Sequence, residues 1–115
     1  MRSKFSKYND GMLQICTQNQ KKTDFAAAHN VTKLADLEMV SKMAYGEMSK
    51  RAEDMEFAES QGRSLSMKVR VRLVDFIKSS HSVLIGKTLY DIYKLDSSRE
   101  KQEMYLYLEE VRKVE

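Results

Sequence analysis

The chain has 115 residues, 20 of them lysine or arginine and 17 aspartate or glutamate, for a net charge of +3. That length suits one domain with a modest core and leaves little for a large enclosed active site beside it, and the small charge excess is far from the dense positive field of a DNA-coating protein. A lone Cys16 excludes an internal disulfide, the absence of proline with only four glycines excludes collagen-like and Pro/Gly-rich disordered classes, and no stretch approaches the ~20 apolar residues of a membrane span.

Residues 1–11 read as a polar arm, RSKFSKYND following Met1 where a leader would be apolar, so the chain is expected to be cytosolic when made. Residues 12–17 (MLQICT) read as a first strand, with Leu13, Ile15 and Thr17 on one face and Met12, Gln14 and Cys16 on the other. Cys16 is then a small half-buried hydrophobe, and no acid or histidine lies close in sequence to activate its thiol. Residues 18–33 form a long polar loop, and His29 within it is assigned no role. The run 34–47 fits either period, and a strand is placed across residues 38–47 because the next segment is the better helix.

That segment, residues 49–61 (SKRAEDMEFAESQ), lacks β-branched side chains and is rich in strong helix formers. Ser49 is the expected N-cap and Gly62 the expected stop, with Ala52, Met55, Glu56 and Glu59 stacked on one thin face. Met39, Met43, Met48 and Met55, half of the eight methionines, crowd this region and serve either as core filling or as an adaptable interface.

Residues 65–73 (LSMKVRVRL) alternate strictly, which a helix would scatter and a strand collects into one buried stripe. Leu65, Met67, Val69, Val71 and Leu73 should face a core, and Ser66, Lys68, Arg70 and Arg72 should face water, a partner or nucleic acid. After a connector at 74–81, residues 82–85 and 88–96 flank a two-residue turn at Gly86 and Lys87, the signature of a β-hairpin. A charged turn at 97–101 leads to a last strand over 104–114, with Tyr105 and Tyr107 expected on the exposed face. No Walker loop, dinucleotide fingerprint, paired-cysteine site or HExxH helix occurs, so no catalytic, cofactor-binding or metal-binding residues are assigned and the chain is not expected to be an enzyme. The fold class expected is mainly β: a small antiparallel barrel or sandwich of five to six strands, one short helix and long loops, in a single domain over residues 1–115.

The order of these segments resembles the head-closure, or head–tail joining, proteins of long-tailed bacteriophages. The positions that carry the likeness are Val69, Arg70, Val71 and Arg72, then Val83, Leu84 and Ile85, then Gly86, Tyr90, Ile92 and Asp96, then Arg99 and Glu100, and finally Leu106, Leu108, Glu110 and Val111, with MLQICT in the place of the family's first strand. The tryptophan common before the family's second strand is missing, and an SGRE-like run before the helix survives only as SKRAED.

The resemblance implies a structural virion protein, assembled in the bacterial host cytoplasm, that forms a homo-oligomeric ring at the head–tail connector. Such a ring would contact the portal–adaptor complex on the head side and a tail terminator or tail tube protein on the tail side, closing the channel over packaged double-stranded DNA, without a membrane. It also implies that the excursion over 48–64 works as a ring interface or channel gate, with Met48, Arg51, Met55 and Phe57 as its candidate residues. Lys68, Arg70 and Arg72 become candidates for ring contact or channel lining. The competing reading is a small oligonucleotide-binding barrel that stacks bases on Tyr105 and Tyr107 beside those three cations.

Overall fold

A computed structural model describes residues 8–18 and 37–114. The readings made above for residues 1–7 of the polar arm and for 19–36, His29 included, lie outside the described residues. Six strands and one helix follow in chain order: β1 Gly11–Gln18, β2 Leu37–Met48, α1 Ala52–Ser60, β3 Met67–Arg72, β4 Ser82–Ile85, β5 Thr88–Ser98 and β6 Glu103–Lys113. All pairings are antiparallel and close in a ring, β1-β2-β3-β6-β5-β4. Of the expected barrel or sandwich, the closed form is the one observed.

Alternation builds the interior as expected for most of β3. Val69 and Val71 are fully buried and meet Leu13, Ile15, Val83, Ile92, Leu106 and Leu108, with Met67 and Leu73 partly buried against them. The connection from β3 to β4 is more than a linker, since it sends Ile77 into the same core. Leu65 departs from its expected place: it precedes β3 and packs outside the barrel wall with Ala58 and Tyr107. A bulge between Ile15 and Cys16 accompanies burial of both neighbours, Ile15 in the main core and Cys16 in a second cluster with Leu84, Leu89 and Val114. Cys16 is therefore fully buried where half-burial was expected, and burial pushes its thiol up.

The hairpin at Gly86 and Lys87 has the expected two-residue turn, Ile85 pairing Thr88, with Gly86 at φ 62 where only glycine is unstrained. In β5 the register shifts between Ile92 and Lys94, so Tyr93 is the extra residue of a bulge. Ile92 and Leu95 join the core, while Tyr93 and Lys94 both reach aromatic rings outside it.

Helix α1 is shorter than expected and starts later. Arg51, not Ser49, is the N-cap, because the Asp54 carboxylate accepts the Arg51 backbone N–H at 3.1 Å. Gly62 stops it as expected, at φ 70, with the Arg63 N–H donating to the Ala58 carbonyl at 2.8 Å. The buried face, however, is that of Asp54 and Ala58, one turn apart, and Ala52, Met55, Glu56 and Glu59 are exposed. Counting apolar spacing missed it because half of the buried face is an acid.

Candidate outer-face groove

The outer faces of β3, β6 and β5 stand in register, Arg70 beside Tyr105 beside Asp96, and Lys68 beside Tyr107 beside Lys94. The end of β2 and the start of the excursion add Glu47, Met48, Ser49 and Arg51, which with Lys68, Arg70, Asp96, Tyr105 and Tyr107 line a groove of about 640 Å³, Lys94 standing outside it. Of the residues singled out from the sequence, Met48, Arg51, Lys68 and Arg70 meet in this one place, while Met55, Phe57 and Arg72 stand outside its lining. Met55 and Phe57 are exposed on α1, and Arg72 is exposed at the end of β3.

Lys68 requires a correction. It points away from the barrel interior, as alternation demands, yet it is 4% exposed because α1 lies over it. Its ammonium donates to Asp54 at 3.0 Å and sits 4.9 Å from the Tyr107 ring centroid. Asp54 is itself 5% exposed and also lies 3.5 Å from the Arg51 guanidinium. Burial alone would raise the Asp54 carboxyl, but the Lys68 hydrogen bond, the Arg51 N–H and the two positive charges outweigh it and hold the group below its ordinary 3.8. A solvated basic face is thus interrupted at its first position by a buried ion pair.

The tyrosines are corrected in the same way. Tyr107 is buried under α1 and donates to Asp96 at 3.2 Å, and burial with the nearby Asp96 and Asp54 charges keeps its hydroxyl protonated far above the usual range. Tyr105 is half-buried and donates to Glu103 at 2.7 Å, a bond that pushes its pKa to about 12. Between helix and barrel, rings and cations interleave: Phe57 stacks on Tyr93 at 6.4 Å, Arg63 caps Tyr93 at 5.5 Å, and Lys94 lies within 4.9 Å of both the Phe57 and the Tyr107 centroids. Arg63 also bridges Asp91 at 3.2 Å and Glu109 at 2.6 Å. Sequence reasoning missed Asp54, Arg63, Tyr93 and Lys94. The signal available was the acid at the third helical position, which a capping motif uses; the bulge that sets Lys94 outward beside Tyr93 left none.

Among the described residues no three His, Cys, Asp or Glu side chains converge as a metal site, and no helix is long and apolar enough to cross a membrane. The groove holds two carboxylates, Glu47 and Asp96, beside three cations, so what it offers chemically is a polar lining of mixed charge. Compared with known proteins, the chain matches no family model, no curated protein and no solved structure.

Proposed function

We propose that the chain is a ring-forming structural protein of the phage head–tail connector, closing the DNA-filled capsid and offering the tail its attachment surface. The observation that carries this reading is the architecture: a closed antiparallel barrel with its one described helix inserted between the second and third strands, the arrangement the sequence resemblance implies. Exposed apolar side chains support it further. Met12, Met55, Phe57 and Val111 are all exposed, surface that identical neighbours around a closed ring would cover. The portal–adaptor complex, a tail terminator or tube protein, and the exiting DNA are the partners of this reading.

Burial of Lys68 and Tyr107 favours it over the oligonucleotide-binding module, which needs both side chains open to phosphate and base. The test is the mass of the purified protein, alone and mixed with the portal–adaptor complex encoded by the same genome, measured by native mass spectrometry. A closed ring of copies bound to that complex is expected. A chain that stays monomeric and ignores the complex overturns the proposal, and steeply salt-dependent oligonucleotide binding by the isolated protein favours the alternative.

A further inference from the structure

A different part of the barrel carries an inference that does not depend on the ring. Strand β2 has twelve residues, yet β3 pairs with only its last three, Gly46, Glu47 and Met48. From Leu37 to Tyr45 it pairs with β1 on one side, and on the other no described strand meets it. An edge of this length, left unpaired by the described residues, is a template for strand addition unless it is blunted. Here it contains no proline and exposes Met39, at 57%, and Val40.

Opposite part of this edge runs the segment that follows β3, and the gap between them is a groove of about 450 Å³. Ser41, Lys42, Met43 and Ala44 line one side, Arg72, Val74 and Phe76 the other, and Tyr8, just ahead of β1, completes the lining. Its volume lies in the range of about 300–1,000 Å³ typical of pre-formed ligand sites. A second wall disfavours the edge of a whole sheet as occupant, because β2 of another copy would arrive with β1 attached, and leaves a single extended segment as the simpler fit. The lining includes two cations, Lys42 and Arg72, and no carboxylate.

We propose that the β2 edge is a docking site for an extended segment of a partner protein in which acidic residues alternate with apolar ones. Its backbone adds to β2 as a further strand, one set of side chains packs on Met43, Val74 and Phe76, and its carboxylates pair with Lys42 and Arg72. Main-chain pairing supplies affinity in such additions and the side-chain contacts supply selectivity. Arg72, set apart from the outer-face groove by its place at the end of β3, has its use here.

The probe is a blocked synthetic peptide of about nine residues, valine alternating with aspartate or threonine, labelled for fluorescence anisotropy against the full chain. Binding is expected, with protection of the Ser41–Ala44 amides from hydrogen exchange. Lys42→Glu with Arg72→Glu should weaken it about tenfold or more while circular dichroism and Tm stay those of the parent. Replacing aspartate by lysine in the peptide should weaken it similarly, and N-methylation of alternate peptide bonds should abolish it. No binding at millimolar peptide overturns the proposal. So does binding indifferent to N-methylation or to peptide charge, or self-association of the protein that Val40→Lys removes, which would assign the edge to a second copy.

Discussion

At the scale of single residues, the buried ion pair of Asp54 and Lys68 is the most consequential feature of the outer face. Two charges removed from water gain little net stability as a pair, but removing one partner strands the other. Lys68→Met should therefore destabilise by about 3–5 kcal/mol at most, less to the extent that Arg51 still serves Asp54, and Asp54→Ala should cost a similar amount. The double variant should recover much of the loss. Urea unfolding of the four proteins checks this, and strictly additive losses would show that the pair is not coupled. Tyr93 gives a prediction of opposite sign. Its hydroxyl is buried without a hydrogen-bond partner among the described residues, while its ring stacks on Phe57 and carries Arg63. Tyr93→Phe keeps both ring contacts and removes the orphan, so stability should rise by about 1 kcal/mol. A loss of that size would mean the hydroxyl is bonded in solution. Gly86→Ala isolates a backbone effect, since an added Cβ meets nothing within 4 Å and only the positive φ resists it, at a cost of about 1–2 kcal/mol.

At the scale of elements, α1 is fastened mainly by charge and ring contacts, with Ala58 its one buried apolar residue. The consequence is a pH dependence with a definite sign. Because the Asp54 pKa is lowered on folding, its contribution is fully present above the unfolded value of about 3.8 and is lost as pH falls through the depressed folded value. Between neutral pH and about 4 the helix should stay docked; below that, amides of α1 should exchange ahead of those in β3 and β6, with the barrel itself retained. Uniform exchange across α1 and the strands at low pH would contradict a separable helix. Strand β3 was legible because it presents a two-residue alternation to a core, and the β4–β5 hairpin because Gly86 marks its turn, whereas the run that became β2 fitted either period. Lys68 and Tyr107 were not legible, because alternation tells which side of a sheet a residue faces and says nothing of what later covers that side. Lys94 was hidden for another reason: strict alternation from Ile92 would turn it inward, and TLYDIYKLD carries no residue that announces the bulge that turns it out.

At the scale of the whole molecule, the question is which surface is spare once the chain has folded. Phe57 is partly committed to its own fold through Tyr93 and Lys94, so it is a poor probe of assembly. Deleting residues 50–61 is no better, because it would uncover Leu65 and Tyr107, which α1 buries. Met55 is the cleaner choice: it is exposed on α1, away from the face that carries Asp54 and Ala58. If α1 lies between copies in a ring, Met55→Glu sets an uncompensated charge into each repeat of the interface, while the isolated subunit should hold its stability within about 0.5 kcal/mol, as ordinary surface substitutions do. Closed-ring symmetry multiplies the penalty, since every copy contributes the same contact. The expected outcome is an unchanged Tm for the free protein, with ring formation on the portal–adaptor complex shifted to markedly higher protein concentration and fewer particles retaining DNA. Rings that form at the parent concentration would remove α1 from the interface and leave the exposed Met12 of β1 and Val111 of β6 as the surface to substitute next.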